Sequence, residues 1–482
     1  MDNRVLKGLQ PERALFYFEE ICGIPHGSRN TKQISDYLVQ FAKSHGLRCV
    51  QDEVNNVVIY KDGTPGYEKH PVVILQGHMD MVAEKTKESP VDFTKDPLEL
   101  RTDGEFIWAE GTTLGGDDGI AVAYALAILE AEDIPHPPLE CVFTVDEEIG
   151  MEGAAALDPD LLKGRVFINC DSEDEGTLTV SCAGGARSDL TLPVTIDKAE
   201  GKGIHIYVDG LMGGHSGAEI NKGRANSNKL MAELLARLLK QMPYRLVYVR
   251  GGQKDNAIPR YTMAKIIVSE HLLDEALSNV DRIAAELMKT LPKEETKAKI
   301  SRETCVCRGK AMNILSTRKT VGLLKDLPNG IQAMSRDIEG LVQTSLNLGI
   351  LKTEDGKVSV SFSVRSSVNE EKIALTEQLR AVAKKYGASY EQHGDYPAWE
   401  YRKNSPLRDL MVRVFEELYG RKPVVEAIHA GLECGLFSGK LPGLDCVSFG
   451  PDMQDIHTTR ERLSIASAAR TWKYLLAVLE KL

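Results

Sequence analysis

The sequence contains no long apolar run: its longest uninterrupted one, Ile120 to Leu129, is about half of the roughly 20 residues that a bilayer-spanning helix needs. A secretory leader is also not expected. The N-terminal MDNRVLKGLQPERALFYFEE carries charges throughout and has no apolar block of about 7 to 15 residues. Positive charge is not in excess either: 59 Lys and Arg stand against 70 Asp and Glu, a formal charge of −11 with a pI near 5.6. That balance disfavours a general nucleic-acid binder, which needs clustered positive charge to neutralise phosphates. The nine cysteines (Cys22, Cys49, Cys141, Cys170, Cys182, Cys305, Cys307, Cys434, Cys446) are odd in number, scattered and without a C-x-x-C pair. They read as reduced, mostly buried thiols. The C-x-C at Cys305 and Cys307 is explained by alternate residues of a strand rather than by a soft metal. These absences together predict a cytoplasmic protein.

What is present is the composition of an ordinary folded chain, 42% hydrophobic and 27% charged over 482 residues, which excludes disorder as the main state. At about 150 residues per domain the length suggests three units, or two with one enlarged. Up to about residue 180, short β-branched runs alternate with helical stretches, the pattern of an α/β unit with helices packed on a mostly parallel sheet. Helices are predicted over Pro11–His26, Asn30–Gly46 and Ile120–Glu130, and strands over Asn56–Tyr60, Val72–Gln76, Leu139–Val145 and Val166–Asn169. After CAGGAR the style changes to period-two strands such as Ile204–Gly210 and Lys357–Val364, the mark of sheets wet on one face. Amphipathic helices are predicted near Gly223–Lys240, Leu272–Lys289, Asp337–Asn347 and Glu370–Tyr386. The order hints at a duplicated α+β layer, although no sequence repeat is evident. After Gly394 the first style resumes, with a helix over Pro406–Tyr419, a strand over Cys446–Phe449 and a closing helix over Ser464–Lys481. The simplest account is one α/β domain, residues 1–186 and 390–482, interrupted by an α+β insertion over 187–389.

In open α/β sheets ligands collect at the carboxyl ends of the strands. VVILQ runs into His78 and Asp80, and TLGGDDG places Asp117 and Asp118 before the apolar helix. LECVFTV runs into Asp146, Glu147 and Glu148, VFINC into Asp171, and CVSFGPDMQDI into His457. Singly, each has a plainer explanation: a turn, a solvated acidic loop, or, for Asp117 or Asp118, the N-cap of the following helix. Together they place two imidazoles and several carboxylates on one sheet edge, where buried carboxylates repel unless a cation intervenes. Two histidines, three carboxylates and no thiolate favour zinc first, with manganese or cobalt as alternatives. Two ions about 3.5 to 4 Å apart fit that count if one carboxylate bridges them.

The segments GHMDMV, TTLGGDDGI, DEEIG, NCDSEDEG, GGHSG, FSVRSS, IHAGLECG and DIHTTRERLSI resemble the aminoacyl-histidine dipeptidases, or cytosolic nonspecific dipeptidases. These are dinuclear-zinc metallopeptidases grouped with carnosinases, aminotripeptidases and aminoacylases. The resemblance runs from about residue 10 to the C-terminus with its motifs in the family's order. It implies a zinc-exopeptidase-like catalytic domain with an inserted lid. It implies further that His78 and Asp171 bind one metal, Glu148 and His457 the other, and that Asp117 bridges them. Asp80 would orient the His78 ring, and Glu147 would act as general base on a water acidified by the ions. Asp118 stands where relatives often carry Asn, so a cap role suits either residue.

On the insertion, His215 in GGHSG matches a lid histidine that stabilises the tetrahedral oxyanion. Arg365 in FSVRSS matches an arginine that grips the free carboxylate of a dipeptide. Weaker matches are Asn256, as a polar contact, and His429, Gly431 and Glu433, as pocket-lining residues on the catalytic domain. Without the resemblance, His215 reads as part of a flexible Gly-rich turn and Arg365 as a surface residue of an edge strand. The implied activity is hydrolysis of unblocked dipeptides, aminoacyl-histidine dipeptides among them, by a homodimer. A deacylase or tripeptidase on the same scaffold, or a non-catalytic peptide-binding homologue, would share most of these residues.

Overall fold

The computed structural model describes residues 4–482, apart from the side chains of residues 307 and 308. The chain forms two compact units. The first comprises the residues up to Cys182 together with Tyr401–Ala427 and Leu432–Leu482, and the second comprises Ala183–Glu400 with Ile428–Gly431. Each has its own hydrophobic cluster.

The first unit is built on an eight-stranded sheet. Its centre is parallel: Leu139–Thr144 and Val166–Asn169 flank Val73–His78, and Asp445–Ser448 lies beyond Val166–Asn169. Antiparallel strands extend it, Val57–Lys61 and Arg48–Gln51 at one side and Thr177–Cys182 at the other. The strands Val73–His78 and Leu139–Thr144 are buried at every position. That is why they read as continuous apolar runs instead of alternating ones. The helix Gly116–Glu130 is buried from its first residue to Leu129, which accounts for the ten-residue apolar run without any membrane. Among the described residues no helix is long and apolar enough to cross a bilayer.

Local signals fix the helix ends where they are strongest. Pro406–Tyr419 starts after Ser405, whose hydroxyl accepts from Arg408 N at 3.0 Å, has Pro in its first turn, and stops at Gly420 with φ +67°. A four-stranded sheet of Leu100–Thr102, Phe106–Ala109, Met453–Gln454 and Arg462–Ser464 completes the unit, and its last hairpin carries His457.

The second unit carries a nine-stranded antiparallel sheet. The helices Ser227–Gln241, Leu273–Met288, Ile314–Asp326 and Asn369–Tyr386 contribute Leu234, Ile283, Leu323 and Leu379 to the cluster that its strands line. The expected helix over Asp337–Asn347 is not formed. The strand Val342–Glu354 begins there and hairpins into Lys357–Ser366 through Asp355 and Gly356, both at positive φ. Strand Lys299–Met312 runs through Cys305 and Cys307, as the alternating reading requires, while the Cys307 side chain lies outside the described residues. No disulfide joins the cysteines of the described residues.

Candidate metal centre

The parallel strands deliver their chemistry where they end. Val73–His78 stops on His78, Leu139–Thr144 leads into Glu147 and Glu148, and Val166–Asn169 leads into Asp171. Asp117 lies in the first turn of Gly116–Glu130, and both it and Asp118 have non-helical backbone angles. His457 is held at φ +59° in the loop between Met453–Gln454 and Arg462–Ser464.

These residues converge. Asp117 turns one oxygen to each imidazole: Oδ1 lies 3.1 Å from His78 Nε2, and Oδ2 lies 3.0 Å from His457 Nε2. His457 Nε2 is also 3.1 Å from Glu148 Oε1. His78, Asp117 and Glu148 offer ligand atoms within 4.8 Å of one another, and so do His78, Asp118 and Asp171.

Asp80 meets His78 differently from the expectation. The ring Nδ1 faces the backbone carbonyl of Asp80 at 2.9 Å, whereas the nearest carboxylate oxygen is 3.5 Å away. That carboxylate instead accepts from Glu147 N at 3.0 Å and Ser28 Oγ at 2.8 Å, so one residue braces both the His78 ring and the Glu147 backbone.

The cap reading of Asp117 and Asp118 is overturned. Gly115 occupies the N-cap position without a side-chain cap, and Glu461 accepts from the amides of Leu114 to Asp117, of which Gly116 and Asp117 begin the helix. Asp118 Oδ2 instead accepts weakly from His78 N at 3.3 Å, and its other oxygen, buried, has no hydrogen-bond partner among the described residues.

Charge decides what the cluster can hold. Burial, then repulsion from Asp117, pushes the Asp171 carboxyl well above the usual range. Burial likewise raises Glu147 and Asp118 well above it, and moves Glu173, Glu433 and Glu461 up to about 7. Asp117 is held low by the two imidazoles although burial opposes them, and hydrogen bonds donated to Asp117 and Glu148 lift His457 to about 11. So many desolvated carboxyls exceed what two imidazolium charges can neutralise, and divalent cations among nitrogen and oxygen donors would relieve the excess. The donor set therefore fits divalent metal ions.

A second group forms in the other unit. His215 lies on Gly214–His215, paired with Ala257–Ile258, and its Nδ1 accepts from Gly217 N at 3.2 Å and Ala218 N at 3.0 Å. With Nδ1 accepting, the neutral ring carries its proton on Nε2. Burial and Arg365 lower its pKa and keep it neutral. Arg365 donates from Nη1 to Tyr396 Oη at 3.3 Å, while its buried Nε has no partner among the described residues. A Cβ built on Gly217 would lie 2.7 Å from the His429 carbonyl oxygen and 3.1 Å from both Arg365 Nε and His215 Cε1, so these three residues meet around a glycine. His429 Nε2 is 2.7 Å from Ser345 Oγ. Asn256 joins through its backbone, its carbonyl accepting from Ser216 N at 2.8 Å.

Two expectations need correction. His429 and Gly431 belong to the second unit, not to the first. Glu433 lies in the first unit but is fully buried; Gln76 Nε2 and Thr144 Oγ1 donate to its Oε2 at 2.5 and 2.7 Å. Glu461 and Tyr396 were not singled out from sequence, because each sits in a charged or polar stretch with no spacing that marks it.

Imidazoles and carboxylates gathered at the carboxyl ends of parallel strands form the kind of donor set that can hold metal ions. The sequence model of peptidase family M20/M25/M40 matches residues 74–481, and the chain belongs to that family of metal-dependent peptidases. The chain is 37% identical over 482 residues to the cytosol non-specific dipeptidase of Escherichia coli, a match covering 99% of each. Aminoacylhistidine dipeptidase from Vibrio alginolyticus superposes with a TM-score of 0.95 at 37% identity, over 100% of this chain and 98% of that one. Aminopeptidase PepT from Bacillus cereus, at 16% identity and a TM-score of 0.57 over 98% and 99% of the two chains, shares the fold.

Proposed function

We propose that the protein hydrolyses unblocked dipeptides, aminoacyl-histidine dipeptides among them, at a dinuclear centre. The observation that carries this reading is Asp117 with one oxygen toward each imidazole, in a chain similar over its full length to two dipeptidases. His78 and Asp171 would hold one ion and Glu148 and His457 the other, with Asp117 shared and zinc the best fit to the donors. Divalent ions there would supply Lewis acidity and acidify a water.

The remaining chemistry belongs to the chain. Glu147 takes a proton from the attacking water and returns it to the leaving amine. Its raised pKa suits a group that must both accept and donate. Asp80 fixes the Glu147 backbone and backs the His78 ring. His215 would donate Nε2–H to the developing oxyanion. Arg365 takes the free carboxylate, with Asn256, His429 and Gly431 shaping the surroundings. A homodimer working in the cytoplasm is part of the proposal.

The test couples metal analysis of the purified protein to a cleavage screen of free dipeptides, carnosine and their N-acetylated counterparts. Cleavage of the free peptides, lost on chelation and on acetylation, is expected. Preference for acetylated substrates would assign a deacylase instead.

A further inference from the structure

Asp117 and His457 are 340 residues apart in sequence, yet they face each other across 3.0 Å. What fixes the Asp117 segment is a carboxylate from the His457 loop. Glu461 is 3% exposed, and its two oxygens accept from four consecutive backbone amides. Oε2 takes Leu114 N at 2.8 Å and Gly115 N at 3.2 Å; Oε1 takes Gly116 N at 2.8 Å and, more weakly, Asp117 N at 3.4 Å. The fit leaves little slack, since a Cβ on Gly116 would lie 3.1 Å from Met453 Sδ and 3.4 Å from Glu461 Oε1.

The helix Gly116–Glu130 has no cap of its own. A local Ser or Asp at the N-cap would satisfy one of its first-turn donors. Glu461 reaches Gly116 N and Asp117 N, with the two amides before them, from the hairpin end that also carries His457, held by Glu461 N donating to Thr458 O at 3.1 Å. One short segment therefore supplies the imidazole that meets Asp117 Oδ2 and the anchor that sets where the Asp117 backbone lies.

We propose that Glu461 is a positioning residue of the metal centre: by pinning the backbone of residues 114–117 it aims the Asp117 carboxylate at both imidazoles, and so sets how tightly the centre holds its ions. The proposal rests on the dinuclear reading above. Glu140 provides the contrast. It is 4% exposed and accepts from Lys163 N and Gly164 N at 3.0 Å, the same kind of bonding, but at the opposite end of its strand from the ligands.

The full chain, stripped by a chelator, is titrated with Co2+ and followed by visible absorption as wild type, Glu461→Gln, Glu461→Asp and Glu140→Gln. Titrations run well below the melting midpoint of the weakest variant. Wild type should take up two equivalents. Glu461→Gln, and Glu461→Asp with its shorter reach, should bind about 10- to 100-fold more weakly with an altered spectrum, the range typical of partners that orient ligands. Glu140→Gln should bind as wild type does, even where its melting point falls as far. If Glu461→Gln does not fold, Glu461→Asp carries the comparison. Co2+ affinity of the Glu461 variants within twofold of wild type overturns the proposal and leaves the dinuclear reading standing, and so does an equal loss in Glu140→Gln. A wild type that takes up no Co2+ overturns both.

Discussion

Glu147 and Glu148 are adjacent, yet their environments assign them different work. Glu148 reaches the His457 ring, whereas Glu147 has its backbone tied to Asp80 and its carboxyl pushed up by burial. Glu147→Ala should therefore leave the metal content near wild type while kcat falls by about 10²- to 10⁴-fold, the usual worth of a positioned general base. Elemental analysis beside steady-state kinetics checks this, and retained turnover would remove Glu147 from the mechanism. Arg365 differs in kind, because a carboxylate grip acts alike on ground and transition states. Arg365→Ala should raise KM for free dipeptides by about 10- to 100-fold with kcat little changed, as expected for a lost charged hydrogen bond. An unchanged KM would move the carboxylate contact elsewhere. That His78, Glu148, Asp171 and His457 sit at or after strand ends was legible because those strands show as short apolar runs, whereas Asp117 was read from its place before the apolar helix. Glu461 was not: its partners are backbone amides, and no side-chain spacing records them.

Among elements, legibility followed burial. The strand Val166–Asn169 and the helix Pro406–Tyr419 appear over the residues read from sequence, one as a short apolar run, the other through its Ser, Pro and Gly punctuation. The helix Ile314–Asp326 escaped because Ile314 and Leu315 face solvent, 57% and 62% exposed, which blurs its apolar stripe; the side chain of Asn313, accepting from Ser316 N at 2.7 Å, was the available signal. The region after Asp337 failed in the opposite direction. Ile338, Val342 and Leu346 carry helical spacing, but the Asp355-Gly356 turn commits Val342–Glu354 to a hairpin, and tertiary pairing overrides the local pattern.

The short segment Ile428–Gly431 supports a prediction at the same scale. His429 is held at about 4 against an ordinary 6.5, by burial first and by Arg365 second. The folded chain thus binds this proton more weakly than the unfolded chain does. The stability tied to the neutral ring is fully present above pH 6.5 and is lost as pH falls towards 4, by about 3 kcal/mol in all. In urea unfolding across that window, His429→Asn should lose correspondingly less stability than wild type. Parallel pH curves for the two proteins would contradict the neutral, buried ring.

For the whole molecule, the decisive fact is that the two hydrophobic clusters share no residue, so metal can stabilise one core without entering the other. Every residue proposed as a ligand (His78, Asp117, Glu148, Asp171, His457) belongs to the first unit, supplied by chain segments on both sides of the inserted one. Ions bound only to the native state add RT ln(1 + [L]/Kd), about 2.7 kcal/mol for each site at a hundredfold excess over Kd. Differential scanning calorimetry with and without chelator should then show a metal-dependent transition that drops by several degrees, since a domain of 150 to 250 residues shifts by roughly 2 to 4 °C per kcal/mol. The part of the heat uptake due to the second core should hold its temperature. Asp117→Asn, which weakens the shared carboxylate, should melt near the chelated wild type and respond little to chelator. If both cores shift together by the same amount, coupling between the units outweighs their separate packing. If neither shifts, the carboxyls at the sheet edge are neutralised by protons instead of metal ions, and their raised pKa values are the resting state of the site.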